Sequence, residues 1–218
     1  SWLFAPSSLI LASNYLPLNG ALYLQGRSVK NLLLIAIIAI TTFGCASTST
    51  TTSTQFDEAN NKSITDGSEL YKSFTAYNPN QNPTQIESST TQVLSEYICD
   101  DTQYIPLTIN REVEGITSVY YIANTPSDKG AQFGRHYRVD YDNKSNKIST
   151  IEYSTKGCVL IPNDAPDGAE VAALFITHIL ADSPSEFHVF LSYLHNKEIY
   201  VGTGVGNWKV NKNSIELM

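Results

Sequence analysis

The sequence has few basic residues, few cysteines and no long apolar run. It contains 14 Lys and Arg against 21 Asp and Glu among 218 residues, which gives a formal charge of −7. Proteins that bind nucleic acid or anionic lipid headgroups normally need clustered Lys and Arg. The composition therefore argues against both kinds of partner, and we expect no nucleic acid to bind.

Residues that could bind a metal or carry redox chemistry are also few and do not cluster in the sequence. No Cys-x-x-Cys occurs among the 3 cysteines, so a redox role is not expected. The 4 histidines are scattered along the sequence, and we expect neither a metal nor another cofactor. Asp100-Asp101, and Asp164 with Asp167, lack the spaced ligand series of a calcium loop, so turn and helix-cap roles suffice for them.

Charge divides the chain near residue 45. No Asp or Glu precedes Asp57, and Arg27 and Lys30 are the only bases in that stretch. The run Leu32–Ile40 that follows them is continuously apolar and 9 residues long. A membrane-spanning helix needs roughly 20 such residues, whereas a signal-peptide core has roughly 7 to 15. The pattern therefore predicts a signal peptide over residues 29–44.

A cysteine follows this core directly. In Thr41-Thr-Phe-Gly-Cys45-Ala-Ser47, the small residue before the cysteine resembles the lipobox of bacterial lipoproteins. The resemblance implies cleavage before Cys45 and lipid on its thiol, which would hold the chain on a membrane. Ala46 resembles the residue found in lipoproteins sorted to the outer membrane, so we expect an envelope location facing the periplasm. The alternative is a buried cysteine after a hydrophobic helix.

Residues 1–28 match no signal-peptide pattern, because an apolar stretch broken by Pro6 and Pro17 precedes the core. We expect translation to begin at Val29, read as Met from a non-standard start codon. The alternative is a true hydrophobic extension, such as a first membrane segment.

Residues 45–88 are polar and low in complexity, beginning with the Ser/Thr run Ser47–Thr54. Such segments bury too little apolar surface to offset the entropy of ordering. We therefore predict a flexible tether, in which Leu70–Phe74 docks as a short helical turn.

Residues 89–218 carry the pattern of an exported α+β domain, mainly antiparallel sheet with one principal helix and a C-terminal β-meander. Alternating or β-branched runs predict strands, and Asp142–Asn146 predicts a hairpin turn. Apolar residues at helical spacing after Asp164 predict the helix over about 165–181. The predicted strands lie at 89–99, 104–109, 116–123, 137–141, 147–153, 186–194, 199–201, 207–210 and 214–217.

Lipid on Cys45 would leave Cys99 and Cys158 as a pair, and an oxidising compartment favours their disulfide. The alternative is two buried thiols. The segment Ser95-Glu-Tyr-Ile-Cys99, with the second cysteine downstream, also resembles the start of membrane-bound inhibitors of c-type lysozyme. That resemblance implies lysozyme inhibition as one alternative function.

No catalytic constellation emerges from the remaining residues. His178 is expected on the helix as a boundary histidine, and His188 and Ser192 on one strand would lie roughly 13 Å apart, too far for a nucleophile and its base. Gly202–Gly206 joins two predicted strands, so we read it as a turn rather than a phosphate loop.

These observations favour a non-enzymatic, membrane-tethered module that binds a protein, a peptide or the cell wall. The alternative is a periplasmic enzyme, which predicts a concave pocket that gathers His178 or His188 with acidic residues. Tyr-rich strands could serve a binding surface, although most such rings pack a sheet.

Overall fold

The computed structural model describes residues 49–95, 97–100, 102–126, 129–162 and 171–218. The signal region, Cys45 and residues 1–28 lie outside these residues, as do Asp101, Asp164 and Asp167. Three helices and ten strands follow in chain order: α1 (Ser49–Thr75), α2 (Gln85–Leu94), β1 (Gln103–Arg111), β2 (Ile116–Asn124), β3 (Ala131–Gln132), β4 (Tyr137–Asp142), β5 (Lys147–Tyr153), β6 (Leu160–Ile161), β7 (Ala173–Thr177), α3 (Glu186–His195), β8 (Glu198–Gly202), β9 (Asn207–Asn211) and β10 (Ser214–Leu217).

The fold is α+β, as predicted. Sheet 1 has the antiparallel order β1-β2-β4-β5, and sheet 2 has the order β10-β9-β8-β7. The predicted C-terminal meander is β8–β10, and Gly202–Gly206 is the turn between β8 and β9, as predicted. Strands β3 and β6 form a separate small pair.

Strands β1, β2 and β4 of sheet 1 contribute buried side chains on both faces, whereas the edge strand β5 is exposed. Ile105, Leu107 and Tyr120 belong to a core shared with α1, α3 and sheet 2. Val119 and Tyr121, which flank Tyr120 on β2, point to the opposite side of the sheet and belong to a smaller core against α2. This alternation follows from the two-residue period of a strand.

The principal helix is not at 165–181, so that prediction is wrong. Residues 163–170 lie outside the described residues, and 173–177 form β7, which pairs in parallel with β8. Parallel neighbours need a crossover connection, usually helical, and α3 supplies it. The strand predicted at 186–194 is therefore also wrong, because these residues form α3.

The polar segment predicted as a flexible tether is helical over most of its length. Helix α1 packs against α3: the rings of Phe74 and Phe190 lie 5.4 Å apart, and those of Tyr71 and Tyr193 stack at 5.1 Å. A Cβ on Gly67 would lie 2.6 Å from the Glu186 carbonyl oxygen, so only glycine permits this approach. The few apolar residues of α1 thus lie on one face of the helix. The low overall hydrophobicity of the segment hid this pattern in the sequence.

The strand predicted at 89–99 is wrong, because residues 85–94 form helix α2 and the described residues that follow it, up to 100, form turns and coil. Helix α2 begins with a capping box, in which Thr84 and Glu87 satisfy each other's backbone N–H groups. Its buried residues Glu87, Thr90 and Leu94 recur at helical spacing and face sheet 1. Within the described part of the chain, no helix is long and apolar enough to cross a bilayer.

Candidate functional site

A cavity with a volume of about 630 Å³ lies on the α2 side of sheet 1. We call it the α1–α2 groove. Its lining comes from residues between Ser73 and Thr84, from α2, and from β1 and β2. The members on α2 and the strands are Glu87, Thr91, Tyr104, Pro106, Leu107, Thr108 and Tyr121.

The floor of the groove is closed by hydrogen bonds around Glu87. One carboxylate oxygen accepts the Thr84 N–H at 2.8 Å, and the other accepts the Thr108 hydroxyl at 2.8 Å. The Tyr121 hydroxyl donates to the Glu87 carbonyl oxygen and bonds the Thr91 hydroxyl. These bonds fix the floor before any ligand arrives.

Two tyrosines belong to the floor of the groove. Burial raises the pKa of Tyr121, and burial likewise raises the pKa of Tyr104 despite its bond to the Cys99 N–H. Among the described lining residues, Glu87 is the only one with a charged side chain. The groove is therefore polar and aromatic, with a single buried carboxylate.

The rim consists of side-chain amides. Asn78, Gln81 and Asn82 are exposed. The Asn78 side-chain oxygen accepts the Asn80 N–H at 3.0 Å, which shapes the turn that follows α1. The side-chain amides of Gln81 and Asn82 make no hydrogen bond to other described residues, so they are open to a ligand.

A second cavity, of about 390 Å³, contains the predicted candidate His178. We call it the histidine cavity; its lining includes Glu152, Tyr153, His178 and Ser185. His178 follows β7 rather than lying on a helix, which corrects that prediction. The histidines are not all scattered, because the rings of His178 and His188 lie 4.9 Å apart.

Ser185 and His188 are close enough to resemble a nucleophile and its base, since Ser185 Oγ lies 3.1 Å from His188 Nδ1. However, His188 Nδ1 also accepts the Ser185 N–H at 3.1 Å, which is the capping contact of α3. Burial lowers the pKa of His188 to about 3. A general base works best with a pKa near the operating pH, so capping accounts for the pair.

His188 and Ser192 lie four residues apart on helix α3, not on the strand that was predicted at 186–194. The Ser192 hydroxyl donates to the Lys197 carbonyl oxygen and accepts the Lys212 N–H. It therefore joins the end of α3 to the turn between β9 and β10. No group of three His, Cys, Asp or Glu side chains in the described residues is arranged to hold a metal ion.

Cys99 and Cys158 form the predicted disulfide, with a Cα–Cα distance of 5.8 Å. It joins the segment after α2 to the segment after β5. The cross-link therefore fixes the α2 side of sheet 1, where the groove lies.

Sequence reasoning did not find a layer of buried charges on the opposite face. We call it the ion-pair layer: Asp66 of α1, Arg111 of β1, Arg138 and Asp140 of β4, and Glu186 of α3. Its five members come from four separate elements, so no local motif could have revealed the whole layer. Burial raises the pKa of Glu186, which Arg138 opposes.

Comparisons with protein-family models, with curated proteins and with solved structures find no match to this chain.

Proposed function

We propose that the chain is an exported lipoprotein of the bacterial envelope whose α+β domain binds a cell-wall ligand in the α1–α2 groove. The groove carries the proposal. Its volume of about 630 Å³ falls within the roughly 300–1,000 Å³ of small-molecule sites. A fixed floor and open amides at the rim are the features of a preformed site with few orienting polar groups.

Lipid on Cys45 would tether this domain to a membrane. Three residues, Ala46–Thr48, separate Cys45 from the start of α1, so the anchor would lead almost directly into a helix. The Cys99–Cys158 disulfide supports an oxidising compartment such as the periplasm. An outer-membrane anchor facing the periplasm would bring the domain within reach of the cell wall.

The binding proposal is tested by co-sedimentation of the detergent-solubilised full chain with purified cell-wall sacculi. We expect retention by the sacculi, and a loss of at least tenfold in affinity for the double variant Gln81→Ala/Asn82→Ala. Tyr153→Ala, in the histidine cavity, is the control and should sediment like the wild type. Equal retention of all three proteins would contradict the groove as the site.

The anchor is tested separately by mass spectrometry of the native amino terminus. We expect a chain that begins at Cys45 and carries lipid, and an unlipidated chain for Cys45→Ser. A native terminus upstream of residue 45 without lipid would overturn the anchor and leave the groove to be judged by its own experiment.

A further inference from the structure

We infer that the ligand of the α1–α2 groove is a neutral, hydroxyl-rich saccharide, such as a stretch of glycan strand, rather than a charged peptide or a phosphate. This inference rests on the proposed function and names its ligand class. Three properties of the groove carry it: its charge, its ring surfaces and its free amides.

The side chains that line the groove disfavour both anionic and cationic ligands. No Lys, Arg or His is among the described lining residues, so an anionic group would find no cation there. Glu87 is only 9% exposed, and both of its carboxylate oxygens already accept hydrogen bonds from Thr84 and Thr108. A cationic ligand would therefore meet a carboxylate that is already engaged in the α2 capping box and with Thr108. Because burying an unpaired charge costs several kcal/mol, a neutral ligand is favoured.

The tyrosines of the groove offer a ligand their ring surfaces more than their hydroxyl groups, because the hydroxyl groups already take part in hydrogen bonds. The Tyr104 hydroxyl accepts the Cys99 N–H at 3.0 Å, and the Tyr121 hydroxyl is held by Thr91 and the Glu87 carbonyl oxygen. Tyr77 and Pro106, both half-buried, extend this apolar lining. Pyranose rings present C–H groups on their faces, and a flat, rigid aromatic ring packs against such a surface at low entropic cost.

The free side-chain amides at the rim can form hydrogen bonds with the hydroxyl groups around a sugar ring. Each amide of Gln81 and Asn82 offers one carbonyl acceptor and two N–H donors. Adjacent sugar hydroxyls each donate and accept, so one amide can bond two of them. The Asn78 oxygen accepts the Asn80 N–H, and its NH₂ group adds a third amide donor group to those of Gln81 and Asn82 at the rim.

The inference is tested by NMR titration of the detergent-solubilised full chain with three probes: chitotetraose, tetra-alanine and inorganic phosphate. Chitotetraose should shift resonances of residues 76–91 and of Tyr104 and Thr108, whereas the other two probes should not. Gln81→Ala/Asn82→Ala should weaken chitotetraose binding at least tenfold, and Tyr153→Ala should not change it.

The outcomes separate the ligand class from the proposed function. If tetra-alanine or phosphate shifts the groove resonances and chitotetraose does not, the saccharide inference is overturned while a binding groove stands. If no probe shifts them and the amide double variant still sediments with sacculi, both the inference and the proposed site are overturned. Shifts confined to the histidine cavity would also overturn both.

Discussion

The two faces of sheet 1 are held by different chemistry. On the side of α1 and α3, Arg111 bonds Asp66 and the Tyr120 hydroxyl, and Arg138 bonds Asp140 and Glu186. On the side of α2, hydroxyl bonds predominate, such as that between Tyr141 and Thr90 at 2.8 Å, and the Glu87 carboxylate accepts the Thr108 hydroxyl. We call the first side the charged face and the second, which has no ion pair among the described residues, the neutral face.

Two adjacent residues of β2, Tyr120 and Tyr121, illustrate the difference between the two faces. Tyr120 is fully buried beside the ion-pair layer, whereas Tyr121 points to the floor of the α1–α2 groove. The charged face locks together segments far apart in sequence, and the histidine cavity beside it, of about 390 Å³, is smaller than the groove of about 630 Å³. The neutral face closes less tightly and keeps a concave surface. The fold thus separates its scaffold from its candidate binding site.

The largest expected effect is on the charged face. Arg138→Met leaves Glu186 and Asp140 buried without their shared cation, and removing one partner of a buried ion pair costs about 3–5 kcal/mol of the free energy of unfolding. Urea denaturation measures this loss. Glu152→Gln is the control, because its side chain is 50% exposed at the rim of the same layer, and it should cost less than about 1 kcal/mol. Equal losses would contradict the assignment of the layer as scaffold.

The disulfide should have the next largest effect, on the neutral face. Replacing both Cys99 and Cys158 with Ser should lower the free energy of unfolding by about 3–4 kcal/mol, because the unfolded chain gains the freedom of a loop of 59 residues. Thermal unfolding with and without reductant measures this. Reductant should lower the melting temperature of the wild type to that of the double variant, and no response to reductant in the wild type would contradict a stabilising cross-link.

Acid should weaken the charged face through its histidines. Burial lowers the pKa of His136 to about 4 and that of His188 to about 3. The unfolded chain takes up protons below about pH 6.5, whereas the folded chain does not do so until about pH 4, so the free energy of unfolding falls as pH drops between these values. Glu186, whose pKa is raised by burial, opposes part of this loss.

The variant His188→Gln isolates one of these groups. Glutamine at this helix position can still accept the Ser185 N–H, but it does not titrate. Between pH 6.5 and 5, the free energy of unfolding of the variant should fall by about 2 kcal/mol less than that of the wild type. Parallel curves from urea denaturation across this range would show that His188 is not held neutral.

The smallest expected effect is at the floor of the groove. Tyr121→Phe removes the hydroxyl that joins Thr91 and the Glu87 carbonyl oxygen, at a cost of about 1 kcal/mol. Tyr200→Phe is the control, since among the described residues that hydroxyl bonds the half-buried Glu198 carboxylate alone. Chemical denaturation measures both, and a larger loss from Tyr200→Phe would contradict a floor fixed by Tyr121.

Local signals explain which elements the sequence predicted correctly. The β4–β5 hairpin and strands β8–β10 were predicted, because alternating side chains and turn residues lie next to each other in the chain. The capping boxes that begin α2 and α3 are also local, at Thr84–Glu87 and Ser185–His188, and they are the signals that could have found these helices.

Tertiary contacts explain what was missed. Helix α1 looks polar until its apolar face meets α3, and the parallel β7–β8 pair depends on a crossover that no short window shows. Asp66 and Arg111 lie 45 residues apart, so their ion pair could not be read from spacing. The groove was missed for the same reason, since its walls come from a loop, a helix and two strands.

Hydrogen–deuterium exchange of the full chain, with and without soluble cell-wall glycan fragments, tests the central claim most directly. The division of sheet 1 into a scaffold face and a binding face predicts added protection at residues 76–91 and at Tyr104–Thr108, with exchange in α3 unchanged. Protection confined to α3 and the histidine cavity, or none anywhere at saturating fragment concentration, would contradict it.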